Sequence, residues 1–460
     1  MKTSKVTTRA ERRKQGKALR EKCPRTSQGE WKPRSKSDDI IRLLEESDAD
    51  RIPGLIPVRY QRMSVSPFTF FRGSAIIQAR DLATARVSGV IVQACGDCHL
   101  ANFGAFASPE RTFIFDINDF DETYPGPWEW DIKRLGASLI LAARDCGFTK
   151  GNANDAVHAA GAAYREHMAE YAEMTLLERY YAAVTFEAIR DYFRNDKDMS
   201  ARLLKKYKKA RSQTSEAIAP KLTTVEDGQP VIKDNPPVLY HIQGFVKAFE
   251  KQREEFTKRY KQSLQADRRL LYEGYRYQDS VAKVVGVGSV GTRCMVSLLF
   301  HDDDPLFLQF KEARRSVLEP PYGKSRYANQ GYRVVEGQRL MQAASDIFLG
   351  WSSTKRHDYY VRQLRDMKVS AEVETFKPST LVAYATLCGW TLARAHAKTG
   401  SAVMIAGYLG SSEDFDDALA TYSVAYADQA EQDYKTFQTA VRSGRLSVKP
   451  AKDAGLEFLM

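Results

Sequence analysis

The chain has 460 residues, 43% apolar and 11% aromatic, enough for two or three lobes with sizeable cores, and no apolar run approaches the roughly 18 residues that cross a bilayer. The N-terminus lacks the apolar core of a signal peptide, so a cytoplasmic protein without membrane contact is expected. The formal charge of +11 belongs to one end: residues 1–36 hold 13 Lys or Arg against 3 Glu, leaving about +1 for the rest, which argues against a basic nucleic-acid-binding domain.

Residues 1–36 read as a basic flexible arm, disordered or partly helical in isolation. It would dock on its own protein or nonspecifically on an anionic partner, and nucleic acid would be met only through it. Ser37 to Glu46 has a capping residue followed by helical apolar spacing, after which Pro53, Pro57 and Pro67 break the chain into short extended pieces. The segment Ser66-Pro-Phe-Thr-Phe-Phe-Arg-Gly73 leads into a helix predicted over 74–84. The apolar strand from Gly89 to Gln93 then delivers Cys95-Gly-Asp-Cys-His-Leu-Ala-Asn-Phe-Gly104 at its end, where loops that carry function are held.

A second apolar run, Arg111 to Phe115, has the composition of a buried strand. Asp97, Asp116, Asp119, Asp121 and Asp131 crowd on either side of it, and carboxylates near a core require something cationic. A divalent metal ion is an economical partner. Cys95 and Cys98 form a Cys-x-x-Cys pair, but no second Cys or His pair lies at ligand spacing, so small buried side chains are favoured over zinc or redox work.

Beyond this stretch, Ile132 to Cys146 reads as an amphipathic helix, and Asn152 to Tyr192 contains at least one more. Arg194 to Asn235, with the cluster Lys205 to Lys209, reads as exposed helix and loop, and His241 to Tyr260 as helix. Near Ser280 the composition turns β-branched. Val281 to Phe300 flanks Gly286-x-Gly288-x-x-Gly291, a turn follows at Asp302 to Pro305, and Leu306 to Glu312 supplies a third strand of an antiparallel meander. Helical spacing over 331–349, a strand over 358–364 and helices over 381–398 and 415–441 complete the chain. The class is α+β, with a small antiparallel sheet lobe and a larger helical lobe. The expected divisions are the arm (1–36), the loop-bearing part of the helical lobe (37–150), a helical extension (151–275), the sheet lobe (276–370) and a final helical part (371–460).

The glycine pattern alone fits a dinucleotide fold or a kinase-type phosphate loop. A dinucleotide site needs a helix opening at the third glycine, whereas Thr292 to Phe300 is strand-like, which makes the glycines a hairpin tip. A glycine-rich hairpin followed about twenty residues on by Lys311 on the next strand is how protein kinases hold nucleotide phosphates. Gly286, Gly288, Ser289 and Gly291 would cover the phosphates, and Glu336, in the following helix, would orient Lys311. Asp97 with Asn102 five residues on, and an Asp after the next strand, supplies the rest of a phosphoryl-transfer set. Asp97 would act as base, Asn102 and Asp119 as magnesium ligands and Asp121 as a second metal ligand, with Asp116 turned away by strand alternation. His99 would brace the loop or simply pack.

Gly96-Asp-Cys-His-Leu-Ala-Asn102 resembles the Gly-Asp-x-His-x-x-Asn loop of aminoglycoside phosphotransferases and related small-molecule kinases. Asn118-Asp-Phe-Asp121 is similar to their metal-binding strand end, and Asp131 sits where that family places an Asp supporting the loop. Together with Ser66-Pro-Phe, Arg72-Gly, Phe115 to Leu135 and the Lys311 segment, these look like the bacterial family of unknown function DUF2252, which is grouped with the kinase-like proteins. The resemblance implies a protein-kinase-like two-lobed fold using ATP and Mg2+. Here the loop and metal residues precede the glycine hairpin by about 190 residues, the reverse of the kinase order, which reads as a circular permutation. The strand over 358–364 would then enter the hinge, and Leu392-Ala-Arg-Ala-His-Ala397 would resemble the helix before the catalytic loop. Cys95 stands where phosphotransferases often have His. Only Glu122 to Trp128 separates the metal Asp from the next helix, which favours a small-molecule acceptor over a protein. The expected activity is an ATP- and magnesium-dependent phosphotransferase. The alternatives are nucleotidyl (AMP) transfer at the same site, or an inactive pseudokinase or binding module with a nucleic-acid-binding arm.

Overall fold

A computed structural model describes residues 7–34, 39–212, 214–236, 238–241, 243–284, 286–364 and 368–450. Its main sheet is antiparallel and six-stranded, in the order Gly350–Ser353, Asp358–Gln363, Asp304–Ala313, Cys294–His301, Arg276–Lys283, Leu239–Tyr240. The period of two decides which side chains reach the cleft. On Asp304–Ala313, Leu306, Leu308 and Phe310 turn towards Phe256 and Tyr260 of the helix Gln243–Ser263, which covers one face. The alternate residues Gln309 and Lys311 therefore face the other way, into the cleft. Lys311 is paired with Cys294 on one side and Tyr360 on the other, in the middle of the sheet.

The helical part is built on Trp128–Asp145, Lys150–Glu173, Pro378–Thr399 and Asp414–Arg442. Small residues let them approach closely: a Cβ on Gly389 would lie 2.2 Å from the carbonyl oxygen of Ala160. Trp128 stacks on Tyr164 with ring centroids 5.4 Å apart. The same core takes in Val92, Ala94, Cys95, Cys98 and Leu100, so the segment around Asp97 rests on the packed helices. Two small antiparallel pairings hold it from above: Ile91–Ala94 with Tyr124–Pro127, and Phe103–Ala107 with Phe113–Ile117.

Several expectations are revised. The described part of the basic arm, 7–34, is not a flexible tail; it is folded onto the helical core. Its helix Arg9–Lys22 crosses Ala402–Leu409 so tightly that a Cβ on Gly16 would meet the Met404 carbonyl at 2.1 Å. Arg20 donates to the carbonyls of Gly407 and Tyr408, both at 2.8 Å, and Arg25 to that of Leu409 at 2.6 Å. These are the unsatisfied C-terminal carbonyls of a helix, which attract cations. Arg34 forks between Asp81 (2.7 Å) and Asp433 (2.7 Å), both buried. The basic run thus binds acids of its own chain, which local sequence cannot show.

Ser66–Gly73 does not merely lead into a helix. Pro67–Gly73 is one, closed by a Ser66–Thr69 capping box, and a second follows at Ala75–Leu82. Residues 151–275 are not a single helical extension: Lys150–Glu173 belongs to the helical core, while Leu239–Tyr240 and Gln243–Ser263 belong to the sheet. The charged region also holds a hairpin, Thr223–Glu226 with Gln229–Ile232. The helix predicted over 331–349 stops at Met341, and Gly350–Ser353 forms the edge strand. Ser37, expected to cap the next helix, lies outside the described residues; Asp39 caps Ile40–Asp48.

Candidate active site

The loop from Cys95 to Asn102 owes its shape to one glycine and one buried acid. Gly96 has φ +84°, and a Cβ there would sit 2.2 Å from the Glu122 carbonyl oxygen, so only glycine fits. The Asp131 carboxylate accepts the backbone N–H groups of Cys95 at 2.6 Å and Gly96 at 2.9 Å. His396 Nε2 lies 3.2 Å from the same carboxylate, so the helix Pro378–Thr399 completes the anchor. Cys95 and Cys98 are buried free thiols, and burial pushes the Cys98 thiol well above its ordinary value.

Asp97 emerges from this loop into the cleft. Its Oδ1 accepts from Arg134 Nε at 2.5 Å, and Arg134 is itself pinned by Gln78 Oε1 and the Phe71 carbonyl, both at 2.9 Å. Burial raises the Asp97 carboxyl above the ordinary carboxylate range, and Arg134 offsets part of that rise. His99 is held neutral, because burial and then the nearby Arg72 and Arg134 depress its imidazolium strongly. Its Nε2 is 3.9 Å from Asp97, and its buried Nδ1 has no partner among the described residues. Asn102 Nδ2 donates to the Asp97 carbonyl at 2.7 Å, tying the two ends of the loop together.

Asp119 and Asp121 meet Lys311 across the cleft. Lys311 Nζ lies 2.5 Å from Asp121 Oδ2 and 3.6 Å from Asp119 Oδ2. Burial alone would depress the ammonium; the two acids hold it well above its ordinary value. The carboxylates divide the work unequally. Asp121 also accepts from Tyr360 (2.8 Å) and Ser289 (3.1 Å), and against burial Lys311, Tyr360 and Arg362 leave it a lowered pKa. Asp119 is raised by burial and by the charge of Asp121, and its buried Oδ1 has no hydrogen-bond partner among the described residues.

Glu336 is not the partner of Lys311. It pairs with Arg339 on its own helix at 3.3 Å. The residue of that helix that reaches the site is Arg333, which donates to the carbonyls of Asp121 (2.8 Å), Thr123 (2.6 Å) and Arg314 (2.7 Å). It braces the acidic turn through backbone, while the lysine is already satisfied by the two acids. Asp116 is structural as expected, buried against Arg394 at 2.6 Å and the Ala343 N–H at 2.8 Å.

The glycine segment is folded inward instead of forming a plain hairpin tip. Gly286 precedes a tight turn at Val287–Ser289, and a Cβ at Gly286 would meet only open space. Gly291 takes φ +90°, a conformation glycine tolerates. Arg51 donates to the carbonyls of Gly288 (3.0 Å) and Val290 (2.5 Å), holding the turn against the N-terminal helices.

All the residues predicted for the site except Glu336 and Gly291 line one cavity of about 940 Å³. Nine Lys or Arg side chains line it against four carboxylates, a field suited to phosphates. Four residues were given no role from sequence: Arg72, Arg362 and Lys368 in the cavity lining, and Arg134 against Asp97. Arg134 stands three residues after Asp131 on a helix turn, and that spacing could have flagged it. Arg362 donates to Gln309 and to the Asn118 carbonyl, both at 3.1 Å, beside Tyr360. Lys368 is pushed down to about 7 by burial and by Arg362. Among the described residues no three His, Cys, Asp or Glu side chains form a ready metal cage. Asn102 and Asp119, the two residues predicted to hold magnesium, both line the cavity, and the buried Asp119 Oδ1 has no hydrogen-bond partner among the described residues.

Among the described residues no helix is long and apolar enough to cross a membrane. No curated protein and no solved structure matches the chain significantly. Residues 51–440 match the model of a family described as an uncharacterized protein conserved in bacteria, DUF2252, and the chain belongs to that family.

Proposed function

We propose that this member of the family is an ATP- and magnesium-dependent phosphotransferase with a circularly permuted, kinase-like arrangement, acting on a small-molecule acceptor. The observation that carries the reading is the meeting of Lys311 with Asp119 and Asp121, 3.6 and 2.5 Å apart, from segments about 190 residues distant in sequence. A strand lysine, an inward glycine turn, an Asp–x4–Asn loop and a following acid are the parts with which kinases position and neutralise a transferring phosphoryl group. Their convergence on one cavity supports that use, and the anchoring of the Asp97 loop by Asp131 and His396 supports it further.

In this reading Asp97 orients the acceptor hydroxyl and takes its proton, aided by a carboxyl that burial has made more basic. Lys311 holds nucleotide phosphates and Gly286, Gly288 and Ser289 cover them, while Asn102 and Asp119 would hold magnesium. The metal would neutralise charge on the phosphate oxygens. The stretch after Asp121 is bound into the strand Tyr124–Pro127, paired with Ile91–Ala94, and offers no long segment to dock a peptide. Mass spectrometry of products with labelled ATP and an acceptor mixture tests the reading. ADP with a phosphorylated acceptor is expected. Pyrophosphate with an adenylated product would replace phosphoryl by nucleotidyl transfer, and absence of any stabilisation by ATP and magnesium would point to an inactive binding module.

A further inference from the structure

The charge of the cleft exceeds what a nucleotide needs. Nine Lys or Arg side chains face four carboxylates, and even with Lys368 largely neutral magnesium-bound ATP would cancel only part of that surplus. Most of the cations have partners: Lys311 has Asp119 and Asp121, Arg362 has Gln309 and the Asn118 carbonyl, and Arg51 has two carbonyls of the glycine turn. Arg72 differs. Its buried Nε has no hydrogen-bond partner among the described residues, and its guanidinium lies over the ring of Phe68, 5.7 Å from the centroid.

The position of Arg72 is fixed on both sides. It belongs to the short helix Pro67–Gly73, whose Phe71 carbonyl accepts from Arg134 and whose Gly73 carbonyl accepts from Arg59 at 2.6 Å. Arg134 is also the residue that grips Asp97. The Arg72 carbonyl lies 3.3 Å from where Gly288 would carry a Cβ, so the Arg72 backbone also abuts the glycine turn. The charges it feels are those of Asp97 and Glu374, whereas Lys311 feels Asp119 and Asp121. A cation beside Asp97, held in place and with an Nε that no described residue satisfies, is placed for the acceptor.

We infer that the acceptor carries an oxyanion, a phosphate or carboxylate near the hydroxyl that is phosphorylated, and that Arg72 is the specificity-determining residue that holds it. This rests on the phosphotransferase reading above. A guanidinium binds either oxyanion through paired N–H groups, and a neutral or cationic acceptor would leave the buried Arg72 Nε without a partner.

The test uses the full chain saturated with magnesium and a non-hydrolysable ATP analogue. Calorimetric titration with orthophosphate is expected to find one further site, weakened about 10-fold or more in Arg72→Gln and partly restored in Arg72→Lys, with analogue affinity unchanged. No phosphate site in the saturated wild-type protein, or equal affinity in Arg72→Gln, overturns the inference. Acceptor pairs that differ only in the anion, such as glycerol and glycerol 3-phosphate, or propane-1,2-diol and lactate, are then offered with ATP. Transfer confined to the charged members is expected, and which of them reacts separates phosphate from carboxylate. Neutral alcohols used with equal kcat/KM overturn it. Failure of the analogue itself to bind refutes the phosphotransferase reading, a result distinct from analogue binding without the phosphate site.

Discussion

Asp119 and Asp121 are two residues apart and share Lys311, yet replacing them should affect stability unequally. Asp121 accepts charge-assisted bonds from Lys311 at 2.5 Å and from Tyr360 at 2.8 Å. Hydrogen bonds to a charged group contribute about 1.5–3 kcal/mol each, so Asp121→Ala should cost about 3–5 kcal/mol even with Asp119 left to face the lysine. Asp119 has one buried oxygen without a partner and only a 3.6 Å, one-third-exposed ion pair to Lys311. That pair is worth under about 1 kcal/mol. Its loss is offset by relief of the unpaired oxygen and of the repulsion from Asp121. Asp119→Ala should therefore leave stability within about 1 kcal/mol of wild type or raise it. Urea denaturation in EDTA measures both. With magnesium and ATP at 100 times Kd, wild type should gain about 2.7 kcal/mol and Asp119→Ala nothing. Equal destabilisation by the two substitutions, or ligand stabilisation retained in Asp119→Ala, would refute this division of labour.

Asp131→Ala should lose about 3–5 kcal/mol, because the N–H groups of Cys95 and Gly96 are left buried without an acceptor; chemical denaturation measures it. Arg34→Ala should cost a similar amount by stranding Asp81 and Asp433, whereas loss of an exposed, flexible arm would leave the unfolding midpoint unchanged. Lys368, with a pKa of about 7 in the cleft, is largely neutral at pH 8 and should become charged when phosphates bind. Calorimetry in buffers of different ionisation enthalpy should then show proton uptake, absent in Lys368→Met. Magnesium-dependent nucleotide affinity should fall as pH drops through the raised Asp119 value, since the metal needs the carboxylate. The acid limb should thus lie above the usual carboxylate range of about 3.9 and move in Asp119→Asn.

Local chemistry was legible wherever periodicity and turn residues govern it. The meander around the glycines, the run ending at Asp97 and the long helices over 381–398 and 415–441 all read from spacing. Contacts between distant segments were not. Glu336 has the right helix for a lysine partner, but Lys311 is already satisfied by two acids; the arginine that reaches the acidic turn is Arg333, three residues earlier. The basic arm looked solvated because its acidic partners, Asp81 and Asp433, lie far along the chain. Arg72 was noticed only as part of a motif. Its importance comes from a missing partner, and that is visible only once the cavity is assembled.

The most direct measurement is a calorimetric titration of ATP into the full chain with magnesium, with EDTA, and with Asp119→Ala. One-to-one binding that needs magnesium and vanishes in the variant is the predicted result. Absence of binding to the wild-type chain, or binding that survives both EDTA and the substitution, would contradict a magnesium–nucleotide site at Asp119 and Lys311.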